Sequence, residues 1–216
     1  FLHADLEGEQ VTLEARMVSR VHKDILVRFS WDKNRFTFGE IIHVAGETPI
    51  PPYLRREAEP ADRERYQTLY GKKKGSVAAP TAGLHFTGSM MEKFARRDIH
   101  TGELTLHVGA GTFVPVKEEN ARDHRMHTEN VFVDLSFLEA WRKHSSPVIA
   151  IGTTTTRSME SVYWLGVRLL KGDLFSPGRI LLDQWEYEGL PDNFPLEESL
   201  TALLGYCRKN HLKTLH

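Results

Sequence analysis

The sequence predicts an α/β protein with a small antiparallel β domain attached at its N-terminal side. Three observations carry this expectation. Residues 10–45 alternate apolar and polar side chains with a period of two, as half-buried strands do. Thr48-Pro49-Ile50-Pro51-Pro52-Tyr53 then breaks the alternation with prolines that cannot donate to a ladder. Beyond it, apolar residues at helical spacing alternate with short β-rich runs, the pattern of helices layered on strands.

Val11, Leu13, Ala15 and Met17 share one strand face, with Thr12, Glu14 and Arg16 on the other. Ile25, Val27 and Phe29 repeat the period, and Phe36, Phe38 and Ile41-Ile42 follow as a further strand. Three or four such strands are too few to close a barrel alone. The proline segment reads as an extended linker, which divides the chain into residues 1–50 and 51–216. In the second part the sequence predicts helices over Ala61–Tyr70, Thr87–Arg97, Leu135–His144, Thr154–Leu170 and Leu196–Arg208, with Thr87 as an N-cap. Strands are expected at Leu104–Val108, Val131–Val133, Pro147–Ile151 and Ile180–Leu182. The run into Thr154 makes at least one strand–turn–helix unit. No internal repeat or low-complexity tract is present.

The 216 residues are 40% hydrophobic and 26% charged, which excludes a disordered or fibrous chain. No run approaches the 18 or so apolar residues of a membrane span. A single cysteine, Cys207, excludes a disulfide framework and a cysteine-based zinc site, and fits a reducing cytoplasm. The net charge of -1 argues against a general nucleic-acid coat. Charge is nevertheless segregated. Residues 55–74 hold seven basic residues (Arg55, Arg56, Arg63, Arg65, Lys72, Lys73 and Lys74) against four acidic ones, a local +3, whereas residues 171–200 hold two against seven, a local -5. A nucleic acid can therefore meet one face only. The chain opens on Phe1 without a signal-peptide pattern, so it is expected to be a processed or engineered piece of a longer protein.

Four segments carry side chains suited to chemistry. Val77–Phe86 is small, nearly uncharged and glycine-containing, with one histidine, His85. It reads either as a loop that lets backbone approach a ligand or as a buried turn. Thr105–Phe113 holds His107 and Gly109-Ala110-Gly111, either a fragmentary phosphate-binding turn or a tight β-turn. Asp123–Glu129 sets His124, His127 and Glu129 at H-x-x-H-x-E spacing, which suits a metal, acid–base chemistry without one, or a solvated turn. Val148–Ser161 runs from apolar residues through Gly152 into Thr153-Thr154-Thr155-Thr156-Arg157. Free N–H groups at such a helix start suit a carboxylate, ribose or phosphate, and Arg157 adds a charge-assisted contact.

Taken together these segments resemble one family, the S-adenosylmethionine:tRNA ribosyltransferase-isomerases of queuosine biosynthesis. The resemblance runs from about Thr48 to Ser161. It rests on Pro49-Ile50-Pro51-Pro52-Tyr53, Arg65-Tyr66-Gln67-Thr68-Leu69-Tyr70, Ala78–Phe86, Thr105–Phe113, and Gly152-Thr153-Thr154 with Arg157 and Glu160-Ser161. It implies an α/β domain with an attached partial antiparallel β-barrel domain. It implies that the ribosyl part of S-adenosylmethionine is transferred and isomerised onto 7-aminomethyl-7-deazaguanine at the tRNA wobble position, giving epoxyqueuosine-tRNA and releasing adenine and methionine. S-adenosylmethionine is then a consumed substrate, with no cofactor and no metal. The sulfonium acidifies the neighbouring C5′ protons, so the reaction needs a general base, and adenine departure needs an acid.

For these proton transfers the clustered histidines His85, His107, His124 and His127 are the expected groups, with Glu129 orienting one of them. Pro80, Thr81, Gly83, Gly109, Gly111, Thr112, Gly152, Thr153, Thr154 and Arg157, in or beside the matching motifs, are expected to bind substrate, and the local positive charge points to Arg55, Arg56, Lys72, Lys73 and Lys74 for tRNA. Family members also carry an upstream Asn-rich strand and a downstream Thr-Asn-Phe-His-type segment that this sequence does not show, and residues 162–216 match no family motif. Weak or absent transferase activity is therefore expected of these residues alone. The competing expectations are a metal-dependent hydrolase built on His85, His124, His127 and Glu129, and a non-catalytic RNA-binding module using residues 55–74.

Overall fold

The computed structural model describes all residues except 22–23, 74, 114–116 and 177–179; the side chains of residues 21, 24, 110 and 121 are likewise left undescribed. The chain divides into two compact units, Phe1–Pro49 and Ile50–His216. The architecture is mixed α/β with two three-stranded sheets, both antiparallel.

The first unit is an antiparallel meander of β1 (Leu2–Leu6), β2 (Glu9–Val21) and β3 (Asp24–Trp31), covered by helix α1 (Phe38–Ala45). The β1–β2 turn uses Glu7 and Gly8, both with positive φ, as a two-residue hairpin of matching twist requires. Val11 and Leu13 are buried as the alternation predicts, whereas Ala15 and Met17 on the same face are exposed, and the β2–β3 register shifts between Met17 and Ser19. The sheet is open, and the described strands close no barrel. The expected strand through Phe38 and Ile41-Ile42 is instead α1. Thr37 accepts from the Glu40 amide while Glu40 reaches back to the Thr37 amide, a capping box that starts a helix. Ile41 then points into the core with Leu6, Val11 and Phe36, and Ile42 is exposed.

In the second unit a short helix α2 (Asp62–Arg65) replaces the longer Ala61–Tyr70 expectation. Helix α3 (Gly88–Arg96) starts on the Thr87 cap, its hydroxyl accepting from the Met90 amide. Strands β4 (Thr105–His107), β5 (Asn130–Asp134) and β6 (Thr214–Leu215) form the second sheet in the order β4-β5-β6. Helices α4 (Leu135–Lys143), α5 (Thr153–Leu170) and α6 (Leu196–Lys209) bury Leu138, Val162, Leu165, Leu200, Leu203 and Leu204 against Val133 and Leu215 of the sheet. Two helices meet most closely where Gly166 of α5 faces Ser199 of α6; Ser199 is fully buried and its hydroxyl donates to the Tyr163 carbonyl at 2.6 Å.

Two expected strands are absent. Pro147–Ile151 runs without a ladder, with Ile149 83% exposed, so the strand–turn–helix unit before α5 does not form. Ile180–Leu182 makes one backbone bond, from the Ile180 amide to the His216 carbonyl, rather than a strand's series. Both are short apolar runs, for which composition alone does not supply a pairing partner. Among the described residues no helix is long and apolar enough to cross a membrane.

Candidate functional site

The loop between a one-turn helix at Ala121–Asp123 and β5 carries the Asp123–Glu129 histidines. It borders a cavity of about 800 Å³ together with the first three turns of α5 and the stretch around Ile180–Glu186. That volume suits a nucleoside-sized ligand.

Each histidine of the loop is held by a carboxylate. His124 Nδ1 lies 2.8 Å from Glu118 Oε2, and His127 Nε2 lies 2.8 Å from Glu129 Oε1. A carboxylate accepts, so the nitrogen facing it carries the proton. His124 is thereby fixed with Nε2 left over, and His127 with Nδ1 left over. The two rings are thus opposite tautomers, and both residues line the cavity. Glu129 is almost wholly buried, its side chain 6% exposed, so its partner cannot be replaced readily by water. The Glu118 carboxyl is pulled down to about 2, first by the hydrogen bond from His124 and then by the Lys117 amide. Glu118 escaped the sequence analysis, although a carboxylate six residues before His124 was there to be noticed.

Behind His127, the backbone of Gly111 comes so close that a Cβ there would lie 2.7 Å from both Cβ and Cγ of the histidine. A Cβ at Gly109 would meet nothing within 4 Å. The two glycines of the Gly109-Ala110-Gly111 motif therefore differ. Gly111 shapes the histidine loop, and neither glycine lines the cavity.

Helix α5 supplies Thr154, Arg157, Ser158 and Ser161 to the same cavity. Its N-cap is Gly152 at φ 90, with no side-chain cap. No threonine side chain caps the helix, and its start keeps free N–H groups. Not every hydroxyl is available, because Thr156 and Ser158 bond back to the Gly152 and Thr154 carbonyls. A smaller cavity of about 170 Å³ lies on the other side of this helix start. Pro80, Thr81, Thr112, Gly152, Thr153 and Thr154 line it, with Tyr53 and Tyr66 added. Thr154 borders both cavities, so they adjoin there. The Tyr66 hydroxyl is pushed up, chiefly by burial.

His85 and His107 line neither cavity. His85 ends a one-turn helix and is exposed. His107 packs edge-on against Phe132, which stacks on His216, and it abuts Gly75. Gly83 is buried directly beneath the Tyr70 hydroxyl. Among the described residues no three His, Cys, Asp or Glu side chains are grouped to hold a metal ion, so His85, His124, His127 and Glu129 do not gather as the hydrolase alternative requires. On the basic face, Arg56 is committed to the buried Asp62 through two bonds of 2.7 and 2.8 Å. That ion pair and the Glu59 amide hold the Asp62 carboxyl far below its usual range. Lys72 pairs with Glu103 at the surface, Arg55 and Lys73 are exposed, and Lys74 lies outside the described residues.

A family model described as "Queuosine biosynthesis protein" matches residues 3–176, a wider span than the Thr48–Ser161 resemblance. No solved structure matches the chain.

Proposed function

This chain belongs to the queuosine biosynthesis protein family, and from that membership we propose that it transfers and isomerises the ribosyl group of S-adenosylmethionine onto 7-aminomethyl-7-deazaguanine in tRNA. Membership gives it a role in queuosine synthesis, and with that an involvement with tRNA. The finer reaction is supported by one observation above the others: two histidines of opposite tautomer, each held by its own carboxylate, share a cavity with the Thr154–Arg157 helix start.

Loss of a C5′ proton beside the sulfonium needs a base near neutrality, and departing adenine needs a proton. An imidazole whose far nitrogen is anchored to a carboxylate can take up a proton on the near one and return it. His124 offers Nε2 and His127 offers Nδ1 for these two tasks. The carboxylates hold the rings still and stabilise the imidazolium as it forms. The α5 N-terminus and Arg157 suit the methionine carboxylate. Adenine and methionine leave, the aminomethyl nitrogen gives up one N–H proton to solvent as it bonds the rearranged ribosyl group, and epoxyqueuosine-tRNA results.

Calorimetric titration of the chain with S-adenosylmethionine, with and without tRNA bearing the deazaguanine, tests this reading. One-to-one binding is expected, weakened about tenfold or more in Arg157→Ala, the order of one lost charge-assisted bond. Where turnover is measured, adenine release should fall about 10²–10⁴-fold in His127→Ala. Absence of S-adenosylmethionine binding under both conditions would remove the reading.

A further inference from the structure

The loop that carries His124 and His127 is irregular, and it is fastened from a distant part of the chain. The Gln184 side chain reaches it with both ends of its amide. Gln184 Oε1 accepts from the Met126 amide at 2.9 Å, and Gln184 Nε2 donates to the His124 carbonyl at 2.9 Å. Its partners thus flank Arg125, between the two histidines. A side-chain amide here does what a neighbouring strand would do for regular backbone. It satisfies one N–H and one C=O that the loop cannot pair internally.

The turn that carries Gln184 is itself tied down. Its turn is closed by the Asp183 amide on Glu186 Oε2 at 2.9 Å. Glu186 is tied to Arg168 of α5 at 2.9 Å, and Arg168 also donates to the Leu181 carbonyl at 3.0 Å. A second fastening runs alongside, from Arg122 to Glu188 at 3.0 Å, with the Arg122 guanidinium 5.7 Å from the centre of the Trp185 ring. The contacts therefore lead from helix α5, through one turn, to the backbone between two site histidines. Gln184 lies beyond the span that the family model matches.

We infer that Gln184 is a positioning residue, whose amide sets the backbone of the His124–His127 loop and with it the direction of both imidazoles. The inference deepens the proposed reaction and rests on it, because it concerns how that reaction's proton-transfer groups are held.

Amide exchange and imidazole NMR on the intact chain, in Gln184→Ala and Gln184→Glu, test the inference. In Gln184→Ala the Met126 amide should exchange about five- to tenfold faster, the order of one lost hydrogen bond. The ring signals of His124 and His127 should move together, while amides of the α5–α6 core keep their protection. In Gln184→Glu the carboxylate still accepts from Met126 but can no longer donate to the His124 carbonyl. Met126 protection should return while the His124 signals stay displaced. Unchanged Met126 exchange in Gln184→Ala overturns the inference. So does faster exchange with unmoved ring signals, or faster exchange spread evenly over the core. None of these readouts involves S-adenosylmethionine, so failure to bind that substrate counts against the proposed reaction and leaves the clasp to be judged on its own.

Discussion

Replacing Gly111 by alanine should disturb the candidate site without removing any of its polar groups. The added Cβ would sit 2.7 Å from Cβ and Cγ of His127 and 3.2 Å from its Nδ1. Ordinary carbon contacts begin near about 3.5 Å, so the two must separate by roughly 1 Å. Because the Cβ of His127 is itself struck, a change of rotamer does not relieve the clash, and the loop must move. The bond to Glu129 starts at 2.8 Å, and a shift of that size takes it past hydrogen-bonding range. Glu129 is then left buried without its partner, at a cost of about 1–3 kcal/mol. For a chain of this length that corresponds to a fall in Tm of roughly 2–12 °C. The assay is thermal unfolding combined with imidazole NMR, with Gly109→Ala beside it, since a Cβ there meets nothing within 4 Å. The His127 signals should shift in Gly111→Ala and stay in place in Gly109→Ala. Wild-type His127 signals in Gly111→Ala, with Tm within about 1 °C of the parent, would refute the reasoning.

The remaining predictions concern stability. Gly166→Ala would drive a methyl group into the Ser199 hydroxyl and carbonyl oxygens, both backed by fully buried core. It should destabilise the second unit by about 1–3 kcal/mol or more, as overpacking does, and a urea midpoint unchanged in far-UV circular dichroism would contradict the close packing. Glu118 is held down to about 2 from the usual 4.5 by its bond from His124. A carboxylate lowered on folding contributes stability that is present above its ordinary value and disappears as pH falls through the lowered one. Glu118→Gln should therefore be less stable than the parent at neutral pH, with the gap closing between about pH 4.5 and 2. Acid-unfolding curves that stay parallel across that window would rule the pairing out.

Much of the second unit's framework was legible in the sequence. Thr87 marked the start of α3, and the spacing of Leu135, Leu138 and Trp141 marked α4. The long α5 and α6 declared themselves through apolar residues at helical intervals. The first unit was harder. Phe36, Phe38 and Ile41 looked like continued alternation, and only the Thr37–Glu40 pair distinguished a helix start from another strand. Pro147–Ile151 and Ile180–Leu182 looked like strands because they are apolar, but a strand is defined by its neighbour, which local composition does not reveal. The site divided in the same way. His124, His127, Thr154 and Arg157 were readable as residue types at telling intervals, and they share one cavity. Which carboxylate holds which ring was not readable. Gln184, about sixty residues from its partners and in no motif, gave no signal at all, because its role depends on tertiary contact alone.

Helix α5 serves two masters. Near its far end Gly166 beds against α6, and near its beginning Thr154 stands where the two cavities meet. Twelve residues of helix separate them, a rigid arm of roughly 18 Å. A tilt of only about 5° at the bedded end would sweep the other through an arc of roughly 1.5 Å, comparable to the misplacement that costs an enzyme about a hundredfold. Substitution of Gly166, deep between the two helices, should consequently displace the Thr154 wall shared by both cavities, although Gly166 lines neither.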